Sequence, residues 1–522
     1  LALVEGLNEA VRGSARGSLL LMMGQVVSTI VSALTIIVVA RLLGPENYGV
    51  VTVVMVPISL ALLVQDLGVN TALTRFIALW RIEGRLDEIR ILIRVGLTFK
   101  AAVAGAMALG CWIGAGAIAS VYLQRPELEG LVRIVSLGVL GNALMTATQA
   151  VLVGYEMMGY RSLTQVLWTL LRGSMSITLV WLGLGPSGHL LANTVAPFAT
   201  ASAAVILLLS TLRKENGETT LSGWMALRLI LGFSLPIYCA SLIGGGLTQI
   251  QNLLMIRYIP NDVIGNYSAA VNFGTLISFF TFPIATVLFP LFSKLPKESP
   301  ELSTVFRNAV KYTAFITLPV ALCLITLSEA VTSVMYGGGY PLAAAFMKGY
   351  LALFLFEGVG GLSLGNLVVG VGETRVALVA NLLTVLVGAP LSLLLIPRHG
   401  IWGLLAALVV APRIGVVFML WWVKKSLGFS VDWGASLRLY SAGLAAFLLT
   451  SGALMISGIA GWTAILLGGA LFFAAYVIAV PVSGALRKSD IEDLDAISDV
   501  SGPLRLPLRT VLSIMAKLSR PR

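Results

Sequence analysis

Two arginines stand deep inside apolar stretches of this chain, Arg172 and Arg413, each about ten residues from either end of its stretch. A lone cation in hydrocarbon is costly unless it is paired or hydrated. No carboxylate lies one helical turn from either residue. Such a guanidinium can grip an anion such as phosphate bidentately, or it can donate to the freed carbonyls of a broken helix. Acids are equally scarce. Glu357 falls in mid-stretch and Asp66 at the end of the second stretch. Either could couple transport to H+ or Na+, and either could instead close an internal ion pair. Lys348, toward one end of its stretch, is a further cationic candidate for a substrate path.

A second constellation is uncharged. Gln25, Ser28, Ser32 and Thr35 recur at spacings of 3, 4 and 3, which places them on one helical face. Shifted by 216 residues, the same pattern reads Ser241, Gly244, Thr248 and Gln251, with Asn252 beside it. A duplicated face of amides and hydroxyls suits a hydrated lumen that accepts sugars. Ordinary interhelical hydrogen bonding by small polar residues is the other reading.

These residues need a membrane scaffold to position them. The chain has 522 residues, 57% hydrophobic and 11% charged, with mean hydropathy +0.93. Apolar runs of span length recur along nearly all of it, so the expected fold is an all-α membrane protein of about fourteen transmembrane helices. The expected spans are Gly17–Leu43, Tyr48–Leu67, Val95–Tyr122, Leu131–Gly154, Leu163–Leu184 and His189–Leu212. A second set is Leu229–Ile256, Val263–Phe292, Tyr312–Met335, Ala343–Val369, Val376–Ile396 and Trp402–Val423, followed by Leu437–Ile456 and Trp462–Val482. The segment Arg75–Lys100 reads as an amphipathic helix on the cytoplasmic membrane surface.

The two sets look duplicated. Ala40-Arg-Leu-Leu-Gly-Pro-Glu-Asn-Tyr-Gly49 returns as Ile256-Arg-Tyr-Ile-Pro-Asn-Asp-Val-Ile-Gly265, 216 residues later, and Gly188–Pro197 returns as Gly403–Pro412. Six spans per copy is an even number, so the repeats are expected to be parallel, forming two lobes around a central cavity. The lobes are 1–215 and 216–425, with two further spans in 426–485 and a cytoplasmic tail in 486–522. Arg41 and Arg257, the duplicated cations, complement helix C-termini. With the N-terminus cytoplasmic, only Arg41, Arg125, Arg133, Arg257, Lys348 and Arg398 fall on the outer side, so both termini are expected in the cytoplasm of a cell-membrane protein.

The net charge of +11 follows this loop asymmetry and does not imply nucleic acid. Cys111, Cys239 and Cys323 lie inside apolar segments, and His189 and His399 show no metal-ligand spacing. There is no phosphate-binding G-x-x-x-x-G-K-[ST] loop, and no loop carries a nucleophile constellation. Neither an enzyme nor a cofactor is expected beyond coupling to H+ or Na+.

The loop Ala40–Val54 resembles the first loop of the polysaccharide transport family, the Wzx-type lipid-linked oligosaccharide flippases of the multidrug/oligosaccharidyl-lipid/polysaccharide superfamily. Gln65–Phe76, Phe289–Ser293 and Val334–Tyr340 are also similar to segments of that family. The resemblance implies alternating access that moves a saccharide on a polyprenyl carrier across the membrane, with membrane lipids and glycan-assembly enzymes as partners. It also implies a cationic cavity for the lipid pyrophosphate and sugars. Members often carry an acid near the middle of span seven, where this chain has Asn252, which puts cation coupling through that position in doubt. The alternatives are a multidrug/cation antiporter, a lipid II flippase and a membrane enzyme of glycan assembly. An organic-cation exporter needs a carboxylate in its binding lobe, and the stripe on span one has none.

Overall fold

The structure is a computed structural model and describes residues 2–211, 221–492 and 505–518. Among the described residues every regular element is helical. Nine helices among the described residues are long and apolar enough to cross a membrane, and a tenth is added if the bent pair Ala343–Val359 and Gly361–Gly370 counts as one span. The lobe boundary expected at 215/216 lies outside the described residues.

Two compact units divide the chain, Leu1–Ser268 and Ala269–Arg522. The first is built from α1 (Ala2–Gln65), α2 (Val69–Ile82), α3 (Leu86–Ile113), α4 (Glu129–Gly154), α5 (Met158–Leu179), α6 (Gly185–Thr211) and α7 (Gly223–Tyr258), and ends within α8 (Asn261–Val271). The α1 helix bends at Gly44, which has φ 72 and ψ 170. Its first arm packs on α5, while α4 packs between α3 and α6. Small residues bring α1 and α5 together: a Cβ on Gly24 would lie 2.0 Å from Ser162 Oγ, and one on Gly173 would lie 2.5 Å from Thr35 Oγ1. A buried apolar cluster including Leu73, Ile77, Leu92, Leu152 and Ile230 ties α2, α3, α4 and α7 together.

Residues 216 apart in sequence also meet in this unit. Thr52 Oγ1 donates to Ser268 Oγ at 2.9 Å. A Cβ on Gly49 would fall 1.7 Å from Asn261 O, and one on Gly265 would fall 1.8 Å from Pro45 O. Asn261 is the 216-residue counterpart of Pro45, and Gly265 that of Gly49. The contact between the two similar loops is therefore reciprocal, and neither backbone leaves room for a side chain.

The second unit continues with α9 (Gly274–Ser293), α10 (Pro300–Thr326), α11 (Ser328–Tyr336), α12 (Ala343–Leu351), α13 (Gly361–Gly370), α14 (Thr374–His399), α15 (Ile401–Ser426), α16 (Trp433–Ser457), α17 (Gly461–Ser483) and α18 (Arg505–Leu518). Helix starts follow their caps. Ser299 accepts from Leu302 N ahead of Pro300, and Asp432 accepts from Ala435 N. Phe292, Phe306, Leu364, Val423 and Phe429 form its core. Asp490 binds Lys311 Nζ, takes Tyr312 OH at 3.3 Å and accepts from Arg487 N at 2.8 Å, which fixes the start of the tail to α10.

Five expectations need correction, one of them the expected span Val95–Tyr122, which is interrupted at Gly114. The stretch Arg75–Lys100 is not one surface helix: the chain turns at Gly84 (φ 73), and its second part enters α3. The expected spans Val263–Phe292, Tyr312–Met335 and Ala343–Val369 are each interrupted, near Phe273, Leu327 and Gly360. Only the last has a clear local cause in the residue itself. Gly360 adopts φ 92 and ψ 24, a left-handed conformation open to glycine, and the axis turns by 52°.

Candidate functional site

In the first unit the site is organised by α5. Trp168 and Arg172 are one turn apart, and the guanidinium sits over the indole at 4.8 Å. One Nη of Arg172 reaches Ser32 Oγ at 3.4 Å. Among the described residues no carboxylate pairs with Arg172. Its Nε and the Trp168 Nε1 are buried without hydrogen-bond partners. Both residues line a cavity of about 170 Å³, together with Asn142 from α4, Asn193, Thr194 and Pro197 from α6, and Met55, Ile58 and Leu62 from the second arm of α1.

The polar stripe on α1 is split by this arrangement. Ser28 and Thr35 are buried, Thr35 in the seam against Gly173 of α5. Ser32 joins Arg172. Gln25 is exposed and reaches only Thr29, at 3.5 Å. On α7, Gln251 is buried, Asn252 half-buried and Thr248 exposed, and the side chain of Ser241 is outside the described set. The structure thus brings Ser32 to Arg172, while the other stripe residues take separate environments.

Asp66 has a partner that the sequence did not reveal. Lys100 of α3 donates to Asp66 Oδ1 at 2.9 Å and to Asn70 Oδ1 at 2.7 Å, and Asn70 Nδ2 donates to Asp66 Oδ1 at 2.9 Å. The Lys100 side chain is 0% exposed and that of Asp66 43%. This asymmetry sets an expectation. Asp66→Ala strands a buried ammonium and should destabilise the protein by about 3–5 kcal/mol, whereas Lys100→Met leaves a carboxylate that water still reaches and should cost only about 1 kcal/mol. Thermal unfolding of the two purified variants checks the order; equal losses would contradict it.

In the second unit Glu357 and Arg413 both bond to backbone at the interrupted helix. Beyond α12 the chain tightens into a 3-10 stretch, Ala352–Val359, before Gly360. The freed backbone groups are satisfied by side chains. Arg413 donates to Leu353 O at 2.8 Å, Tyr440 OH to Leu355 O, and Ser436 Oγ to Gly358 O at 2.7 Å. Glu357 accepts from Leu362 N at 2.8 Å and so caps the start of α13. Arg413 lies 3.9 Å from the centre of the Phe356 ring and interacts electrostatically with Glu357. Irregular backbone at membrane depth persists only where it is buried and satisfied in this way. Lys348 pairs with Glu329 at 2.8 Å, and the pair borders a separate cavity of about 580 Å³ between α10, α11, α16 and α17.

Sequence reading missed Lys100, Trp168, Asn142, Asn193 and Tyr440. Trp168 carried a usable signal, since it precedes Arg172 by four residues. The others are ordinary residues until distant helices bring them in.

The helices make this a multi-pass membrane protein, with a half-buried arginine in a cavity lined in part by amides and, among the described residues, no carboxylate paired with it. Residues 38–344, more than half of the chain, match the polysaccharide biosynthesis protein family, and the chain belongs to that family. Residues 260–476 also match the lipid II flippase MurJ family. An uncharacterised membrane protein of Methanocaldococcus jannaschii is 21% identical over 391 residues, covering 71% of this chain and 76% of the relative. The teichuronic acid biosynthesis protein TuaB of Bacillus subtilis is 23% identical over 243 residues, covering 46% of this chain and 49% of its own. Among solved structures, the lipid II flippase MurJ in an inward closed conformation has a similar fold, with a TM-score of 0.67 at 14% identity over 89% of this chain and 98% of MurJ. The resemblance read from the loop motifs is borne out, and these families are transporters rather than enzymes.

Proposed function

We propose that this protein is a flippase that moves a polyprenyl-(pyro)phosphate-linked oligosaccharide from the cytoplasmic to the outer leaflet by alternating access, for the assembly of surface polysaccharide or glycoprotein glycans. The observation that carries this reading is Arg172. A member of the polysaccharide biosynthesis protein family keeps a half-buried guanidinium, with no acid paired to it among the described residues, beside an indole and amides. A cation antiporter would need the opposite charge in that cavity. The remaining substrate contacts are proposed at Arg413, Lys348 and the polar residues of α1 and α7, including Thr248, Gln251 and Asn252. Glu357 and Asp66 are proposed to couple transport to H+ or Na+. Glycan-assembly enzymes are the proposed protein partners.

Fourteen spans and two parallel repeats belong to the same proposal. Leu20–Gln65 and Met158–Leu209 contain 46 and 52 residues, so at ~1.5 Å per residue each is about twice a ~30 Å hydrocarbon core. Each also bends at a glycine, Gly44 and Gly183, so each supplies two spans. The reciprocal Gly49 and Gly265 contacts support the repeat. The lysine and arginine asymmetry supports cytoplasmic termini, and the protein is proposed to sit in the plasma membrane. A second reading, lipid II as cargo, is favoured specifically by the match of residues 260–476 to the MurJ family.

Deletion in the native host should cause lipid-linked glycan to accumulate with its sugars facing the cytoplasm, as read by protection from an externally added glycosidase. Unchanged surface glycan after deletion would refute the proposal. Accumulation of lipid II alone would select the second reading.

A further inference from the structure

Beyond the last span the tail is tied to the second unit at its start and again at α18. Arg438 of α16 donates to Gly484 O at 3.0 Å, Asp490 accepts from Arg487 N and takes Lys311 of α10, and α18 packs back on α17. Val511, Leu512, Met515 and Leu518 recur along α18 at spacings of 1, 3 and 3, which gathers them on one side of the helix. Docking on α17 uses only part of the apolar surface. Leu512 is 4% exposed and Met515 0%, whereas Ile514 remains 44% exposed and Leu518 40%. Lys517 is exposed one turn from Ile514, so an ammonium edges the uncovered apolar strip.

The neighbour and the charge say what covers that strip. Helix α17 is long and apolar enough to cross a membrane, and its Leu466, Leu467, Ile478 and Val482 are exposed, a surface that faces lipid in a bilayer. A helix seated against such a span and carrying cations stays at the edge of the hydrocarbon. From 505 to 522 the chain has five basic residues, Arg505, Arg509, Lys517, Arg520 and Arg522, and no acid. A neutral leaflet would take the apolar strip but give these cations no counter-charge. A leaflet containing anionic lipid satisfies both.

We infer that α18 is an interfacial helix that recognises anionic phospholipid headgroups in the leaflet on the side of the C-terminus. Ile514 and Leu518 enter the boundary with the acyl chains, while Lys517 and the other basic residues of the tail meet the phosphates. The proposed topology makes this the cytoplasmic leaflet. The inference concerns the surrounding bilayer and holds whatever the cargo.

The test uses the full-length protein with Cys111, Cys239 and Cys323 replaced by Ala and a fluorescent label on Ile514→Cys. It is placed in nanodiscs of phosphatidylcholine alone, or with about one third phosphatidylglycerol. A lipid-borne nitroxide at headgroup depth should quench the label more in the anionic discs. The ratio of quenched to unquenched label there should fall about fivefold in Lys517→Gln and about 25-fold in the double variant Arg505→Gln/Lys517→Gln, and high salt should lower it as well. If removing the native cysteines prevents folding, the unlabelled wild type and double variant are compared for phosphatidylglycerol retained through purification, and the variant should retain less. Equal quenching in the two lipids, or equal retention, would overturn the inference. A label shielded in both lipids would place the tail's own acids, Glu492, Asp493, Asp495 and Asp499, over the helix and would overturn it too. So would quenching that survives both Lys517→Gln and high salt.

Discussion

Replacing Arg172 by Gln should lower transport about 100-fold while leaving the folded protein as stable as the original. The transport loss corresponds to about 3 kcal/mol, the upper range for hydrogen bonds to a charged group. The stability half of the prediction follows from what Arg172 lacks. Its Nε is unpartnered, its contact to Ser32 is long at 3.4 Å, and no described carboxylate offsets its charge. The change gives up the indole face of Trp168 and the long contact to Ser32, and it also removes the desolvation cost of a half-buried charge, so the two offset. Arg413→Gln should behave in the opposite way. That change removes the donor to Leu353 O, the stacking on Phe356 and the counter-charge of Glu357, so it should destabilise the protein by about 2–4 kcal/mol. Thermal unfolding and flipping of a fluorescent lipid-linked sugar, measured on both variants, separate the two roles. A destabilised Arg172→Gln with normal flipping per folded molecule would make Arg172 structural.

The second large effect is expected at the reciprocal loop contact. Gly49→Ala places a methyl 1.7 Å from Asn261 O and 2.6 Å from its carbonyl carbon; Gly265→Ala places one 1.8 Å from Pro45 O and 3.0 Å from Gly49 N. The obstacle in each case is backbone, which cannot rotate away, so each variant should lose about 2–3 kcal/mol, the upper end for overpacking. The two losses should not add. Once one methyl has pushed the loops apart, the second finds room, and the double variant should fall short of the sum by about 1 kcal/mol or more. Gly246→Ala is the control. A Cβ there meets nothing within 4 Å, and the better helix former should be neutral or slightly stabilising. Additive losses at Gly49 and Gly265 would show that the two approaches are independent.

Much of the fold's class was legible along the chain. Apolar runs report local free energies of transfer, which sum residue by residue, and the loop Ala40–Val54 with three further contiguous segments carried the family resemblance. Breaks within spans were less legible. Nothing in Ala343–Val369 announces an interruption beyond the adjacent Gly360 and Gly361, because whether a glycine bends a helix depends on who satisfies the freed carbonyls. Here Arg413, Tyr440 and Ser436 do so from other helices.

The sequence by itself determined that this is a multi-pass membrane protein of a polysaccharide family, and it singled out Arg172, Arg413, Glu357 and Asp66 as charges needing an explanation. It left the two arginines equivalent. Tertiary structure separated them, giving Arg413 a carbonyl 60 residues away and leaving Arg172 in a cavity walled by α1, α4, α5 and α6. It likewise supplied Asp66 with Lys100 across 34 residues. The reason is that hydropathy is a property of each residue, whereas compensation of a buried charge is a property of the pair, and the partner is fixed only when the helices pack.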